Sequence, residues 1–152
     1  MNTTKLIYID LDEVIVDLIG QMKIELATAP KQYQEETDLI DDSDTVFLNA
    51  KPIPRALEAV AKLEEHYNVF ILSTAPWHNI HTWSQKRISV DKYLSSMHKK
   101  LILTHHKDHL MGDYLIYDRL KNGAENFQGK HIHIFSDAFP TWERVLAELI
   151  PN

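Results

Sequence analysis

Apolar residues gather along the chain in five short runs: KLIYID (5–10), YNVFILS (67–73), KLILT (100–104), YLIYD (114–118) and HIHIF (131–135). Most are near-continuous Ile, Leu, Val, Phe and Tyr, the pattern of strands buried on both faces rather than of half-exposed ones. Between them the spacing turns helical. Pro54 opens one stretch with Ala56, Val60 and Leu63 on a single face. Trp83, Arg87, Val90, Leu94 and Met97 mark a second stripe, and Pro140 opens a third in which Trp142, Val145, Leu146 and Leu149 recur. Strands alternating with helices predict an α/β protein whose parallel sheet is covered on both sides.

One segment breaks the alternation. Between Ile24 and Leu48, where a crossover helix should return, the chain carries Glu35, Glu36, Asp38, Asp41, Asp42 and Asp44. It reads as an insert over the active end of the sheet, with the acidic residues equally open to a solvated-loop reading.

Composition narrows the class. A chain of 152 residues is expected to form one domain, here 1–152 with the insert at about 18–48. Its 44% hydrophobic and 25% charged residues are ordinary for a globular protein. The net charge of −6 argues against polynucleotide as a partner but not against a small phosphorylated substrate. No cysteine is present, so disulfides and thiolate metal sites are excluded. Lys5, Asp10 and Asp12 are unlike a secretory h-region, and no apolar run is long enough to span a bilayer; a soluble, cytoplasmic protein with no membrane partner is expected. The oligomeric state is not written in these patterns.

In an open α/β sheet, ligands bind at the carboxyl ends of the strands. The first strand delivers Asp10 and Asp12 there, the second Ser73 and Thr74. The third leads to Thr104 and Lys107, the fourth to Asp118 and Arg119. Carboxylates, a hydroxyl and an ammonium suit phosphoryl transfer. A hard cation such as Mg²⁺ takes carboxylate oxygens, one carboxylate attacks phosphorus, and a second carboxyl moves the proton. Ser73 fits a core-edge position better than a phosphate contact. Nine histidines raise zinc as a competitor. His105/His109 and His78/His81 have helical ligand spacings, but neither pair has an obvious third ligand, so zinc is disfavoured.

Chain order separates two folds that use such sets. A response-regulator receiver places its phosphorylated aspartate after the acidic pair, with Thr and Lys last, whereas here the order is Asp-x-Asp, Thr, Lys, Asp. That order resembles the haloacid dehalogenase (HAD) superfamily. The segments IDLDEVIVD, FLNAKPIPRALEAVAKL, FILSTAP, LILTHHKDHLMGDYLIYDR and FSDAFPTWERVLAEL together resemble the 5′(3′)-deoxyribonucleotidase family over most of the chain. The resemblance implies a three-layer Rossmann-like fold with a mostly parallel five-stranded sheet and a short helical cap after strand one. It implies Asp10 as nucleophile, Asp12 as general acid/base, and Thr74 and Lys107 on the phosphate. Mg²⁺ would be held by Asp10, Asp118 and the backbone carbonyl of Asp12.

The implied activity is a Mg²⁺-dependent phosphomonoesterase acting on nucleoside monophosphates. The alternatives are a HAD phosphatase for another small phosphate ester and a catalytically weakened nucleotide-binding protein. Phe47 and Trp77 are candidates for the substrate pocket, whereas Tyr33 suits core packing and Arg119 an ion pair. Two departures stand out. Tyr117 replaces the first of an Asp-Asp pair, and Glu13 occupies a position often filled by glycine.

Overall fold

Each of the five apolar runs forms a strand in the computed structural model, which describes residues 3–28 and 32–152. In chain order the elements are β1 (Leu6–Ile9), β2 (Val16–Asp17), α1 (Leu18–Thr28), α2 (Glu36–Asp42), α3 (Val46–Asn49), β3 (Lys51–Pro52) and α4 (Ala56–Glu64). They continue as β4 (Asn68–Ser73), α5 (His81–Tyr93), β5 (Leu101–Leu103), β6 (Tyr114–Tyr117), β7 (Lys130–His133) and α6 (Trp142–Leu149). The main sheet has the order β5-β4-β1-β6-β7, and every pair in it is parallel. Register aligns Ile9 with both Ile71 and Ile116. The segments leaving β1, β4 and β6 therefore emerge side by side.

Strand alternation divides the apolar residues between two faces. Ile7, Ile9, Val69, Ile71, Ile116 and Ile132 meet Val60 and Leu63 of α4, Val90 of α5, and Trp142 and Val145 of α6. Burying each such side chain contributes about 1.5–3 kcal/mol, enough to fix the register. Tyr8, Leu72, Leu115 and Tyr117 face the other way, against Ala124 and Phe127. On that side, 3-10 turns at Lys107–His109 and Ala124–Asn126 take the place of full helices. Asn122 and Gly123, with φ of 54° and 81°, interrupt any longer helix there.

The second predicted stripe differs in phase from the structure. Trp83 and Arg87 point outward, and α5 buries Thr82, Gln85, Lys86 and Ser89 together with Val90. Leu94 lies at the helix end and Met97 in a following 3-10 turn. The polar side is inward because α5 packs against the insert and an acidic side chain as well as against the apolar core.

The insert leaves and re-enters the body through β2 and β3, which pair antiparallel. Residues 29–31 of the expected 18–48 segment lie outside the described residues. Leu39, Val46, Phe47 and Tyr33 send apolar side chains into the main core, so Tyr33 packs as expected. Glu25 of α1 is buried and accepts hydrogen bonds from Ser43 Oγ at 3.1 Å and Thr45 Oγ1 at 3.0 Å. Glu35, Glu36, Asp38, Asp41, Asp42 and Asp44 are all exposed, with Asp38 accepting the amides of Gln34 and Glu35 at 3.0 Å. Two side chains from around the start of α5 hold the insert down. Asn79 Nδ2 donates to Ile40 O (3.0 Å) and Ser43 O (2.8 Å), and Gln85 donates to Asp44 O.

Asn79 is almost fully buried, so Asn79→Ala leaves two insert carbonyls without their donor. It should cost about 1–3 kcal/mol, read as a lower urea midpoint with an unchanged m-value.

Candidate active site

β1 delivers Asp10, whose amide donates to Ile116 O at 3.0 Å and so continues the β1–β6 pairing one residue beyond the strand. The chain then folds into a tight turn. Leu11 O accepts from Ile15 N at 2.8 Å and Val16 N at 3.0 Å, and Glu13 adopts a left-handed φ of 61°. Asp12 is carried on that turn, beside Asp10. Trp142 Nε1 donates to Val14 O at 3.1 Å and anchors the turn to α6. Glu13 Oε1 accepts the amide of Ile19 at 2.6 Å, joining the turn to the first residues of α1.

Two buried lysines sit beneath the acidic pair. Lys107 has no exposed surface; its Nζ lies 3.3 Å from Asp10 Oδ1, donates to Leu72 O at 2.9 Å, and rests 4.6 Å from the Tyr117 ring centroid. Lys86 is 1% exposed. It pairs with Asp12, donates to Ser73 Oγ at 3.0 Å, and lies 5.1 Å from the Phe47 ring. Burial pushes the Asp10 carboxyl above the usual range, and the Lys107 ammonium opposes that rise. Burial lowers Lys107 in turn, opposed by Asp10. Lys86 did not emerge from the sequence. Its only trace there is the polar set Thr82, Gln85, Lys86 and Ser89 at spacings of a single helix face.

Asp118, immediately after β6, completes the acidic group. Its pKa is raised to about 6, first by burial and then by the neighbouring Asp10. Oδ1 is buried with no hydrogen-bond partner, while Oδ2 lies 3.8 Å from Arg119 Nε. An orphaned carboxylate oxygen beside a second carboxylate is a poor arrangement for an empty protein interior and a suitable one for a hard cation with oxygen ligands. The carboxylate oxygens of Asp10, Asp12 and Asp118 do not all come within 4.8 Å of one another. The expected ligand set needs only two of those carboxylates, with a backbone carbonyl as the third donor.

Asp10, Asp12, Thr74, Tyr117 and Asp118 line one cavity of about 400 Å³, roofed by Leu18, Met22, Ile40 and Phe47 of the insert. That volume is in the range of small-molecule sites. Trp77 is at its rim, 73% exposed and edge-on to His105 at 6.0 Å. Arg119 also lines it. Thr74 Oγ1 donates to Thr104 O at 2.7 Å, so its hydroxyl must rotate to meet a ligand. Ser73 is fully buried and engaged by Lys86, in keeping with a core-edge role. The structure thus brings together Asp10, Asp12, Thr74, Asp118, Phe47 and Trp77 around the cavity, and sets Lys107 beneath Asp10.

The model of the 5′-nucleotidase, deoxy (pyrimidine), cytosolic type C family matches residues 28–140. A protein of Vibrio phage KVP40 with the provisional name 5′(3′)-deoxyribonucleotidase is 41% identical over 145 residues, covering 95% of this chain and 84% of its own. A protein of Staphylococcus epidermidis RP62A with the same provisional name is 28% identical over 153 residues, covering 86% of this chain and 82% of its own. The chain belongs to this nucleotidase family.

Within this HAD-superfamily nucleotidase the two sequence departures acquire physical reasons. The left-handed φ at Glu13 accounts for glycine being common there, and the side chain regains some of that strain by bonding the Ile19 amide. Tyr117 takes the place of an acid by covering Lys107 with its ring, while its hydroxyl accepts from Asn122 Nδ2 at 3.1 Å. Burial drives its pKa up to about 12, so it stays neutral. Asp113 lies at the opposite end of the sheet, where it accepts the Leu6 amide at 2.8 Å, and cannot replace the missing acid.

The pKa of Asp118 in the fold exceeds its unfolded value, so its ionised form opposes folding above about pH 6, and the penalty fades as pH falls toward 4. In metal-free protein at pH 7.5, Asp118→Asn should therefore raise Tm by roughly 2–4 °C, about 1 kcal/mol after allowing for partial exposure. The gain should shrink at pH 5, and added Mg²⁺ should stabilise the wild type but not the variant.

Proposed function

We propose that the protein is a Mg²⁺-dependent phosphatase of nucleoside monophosphates, with deoxyribonucleotides as the preferred class. The observation that carries this reading is the cavity that brings Asp10, Asp12, Thr74 and Asp118 together under an apolar roof containing Phe47. The provisional names of the relatives support the nucleotide class. In this reading the insert acts as the cap of a single domain.

An Asp10 carboxylate oxygen attacks phosphorus, forming an acyl phosphate as the ester P–O bond breaks. The departing nucleoside oxygen takes its proton from Asp12. Asp12 then removes a proton from water, whose oxygen attacks phosphorus and frees inorganic phosphate and Asp10. Asp10, Asp118 and the Asp12 carbonyl would hold Mg²⁺, which offsets negative charge on the phosphoryl oxygens. The Lys107 ammonium opposes the rise that burial imposes on the Asp10 carboxyl and so favours its ionised form. An incoming phosphate competes with Asp12 for Lys86, which releases the Asp12 carboxyl for proton transfer. Thr74 turns its hydroxyl from Thr104 O to a phosphoryl oxygen, and Trp77 at the rim offers an aromatic face to a base.

Asp10→Asn should cut phosphate release from dUMP or dTMP by about 10³-fold or more while keeping the wild-type far-ultraviolet circular dichroism, with a lower Tm because Lys107 loses its carboxylate partner. Full turnover by this variant would remove Asp10 as nucleophile. Across a substrate panel, dUMP or dTMP should exceed sugar phosphates in kcat/KM; the reverse ranking would overturn the nucleotide assignment.

Lys107→Met should move the acid limb of the kcat/KM profile to higher pH, because the largest opposition to the rise that burial imposes on Asp10 is then gone, leaving only Lys86 and the Leu11 amide. An acid limb at the wild-type position in folded Lys107→Met would show that the ammonium does not tune Asp10.

A further inference from the structure

Lys107 reaches inward from a 3-10 turn (Lys107–His109) whose outer side carries His106, Asp108 and His109. His106 precedes the turn as its cap, with φ −128° and ψ 73°, and its imidazole stacks on that of His109 with centroids 4.9 Å apart and planes 12° from parallel. Asp108 lies alongside, its Oδ2 3.8 Å from His109 Nε2. One donor atom from each residue falls within 4.8 Å of the other two, and none of the three residues lines the active-site cavity.

The carboxylate has a prepared seat. A Cβ on Gly123 would come within 2.0 Å of Asp108 Oδ1, and Gly123 adopts a φ of 81°. The turn itself is fixed to the same segment, since Lys107 N donates to Asn122 O at 2.7 Å. We propose that His106, Asp108 and His109 form a second metal site, for a transition ion of the Zn²⁺ class, which clips the turn carrying Lys107.

The donor chemistry selects the ion. Two imidazoles and one carboxylate suit Zn²⁺ and its neighbours, whereas Mg²⁺ and Ca²⁺ prefer oxygen alone. Tetrahedral Zn²⁺ with bonds near 2.1 Å sets its ligand atoms about 3.4 Å apart. Closing to that spacing from separations of at most 4.8 Å takes no more than about 1.4 Å per pair, within reach of side-chain rotation in two exposed imidazoles. Water fills the fourth position. The cluster at the cavity is built on the carboxylates of Asp10, Asp12 and Asp118, so the two sites differ in kind and in place. Occupying the outer one joins both ends of the turn and stiffens the support of the ammonium beneath Asp10.

The test is calorimetric titration of Zn²⁺ into the full chain in Mg²⁺-saturated buffer, with Co²⁺ absorption as a second readout. Wild type and Asp118→Asn should each bind one equivalent, show ligand-field bands in the visible and gain Tm. The double variant His106→Ala/His109→Ala, whose replaced rings are both exposed, should keep its far-ultraviolet circular dichroism and lose at least tenfold in affinity along with the Tm gain. Affinity should weaken as pH falls, because protons compete for the ligands. Absence of saturable binding, wild-type affinity in the double variant, or loss of binding in Asp118→Asn alone would each overturn the proposal.

Discussion

The most demanding feature of this molecule is a pair of carboxylates, Asp10 buried and Asp12 at the cavity floor, each set against a buried ammonium. Removing one partner from such a pair typically costs 3–5 kcal/mol, so the surroundings are arranged to supply both. The two lysines are provided for in the same way. Lys107 has Asp10, the carbonyl of Leu72 and the Tyr117 ring; Lys86 has Asp12, the hydroxyl of Ser73 and the Phe47 ring. Each ammonium thus meets a carboxylate, a neutral oxygen and an aromatic face. The central place of β1 between β4 and β6 sets Leu72, Ser73 and Tyr117 on either side of Asp10.

Tyr117 shows how a family site keeps its charge balance after losing an acid. A second carboxylate at this position would add repulsion toward Asp10 and Asp118, the latter already raised by Asp10. The phenol supplies a quadrupole to Lys107 without a net charge. Asp118 is left as the one carboxylate after β6 facing the cavity, with an oxygen free of protein donors. The site is therefore poorer in acidic groups beside Asp118 and richer in contacts to the ammonium beneath Asp10.

Strands were readable because burial on both faces leaves an unbroken apolar run, and the strand-end residues Asp10, Thr74 and Asp118 came with them. Lys107 was legible as a residue but not as a buried one, since HHKDH carries no apolar mark of burial. Lys86 escaped for a related reason. A search for apolar stripes follows Trp83, Val90 and Leu94, while the inward side of α5 is built from Thr82, Gln85, Lys86 and Ser89. Helix periodicity reports which side is dry only when the neighbour is apolar, and here the neighbours are Asp12 and the carbonyl of Asp44. The thin covering of the second sheet face was hidden because 3-10 turns have no long repeat to detect.

The insert begins and ends on the paired strands β2 and β3, so its two ends leave the body side by side. Such a doorway makes the roof of the cavity a module. Residues gained or lost between those strands reshape the roof while β1 and β6 keep Asp10 and Asp118 where they are. Phe47 is the exception that ties the two levels, since its ring covers Lys86 from above, and a change at that one position would be felt on both.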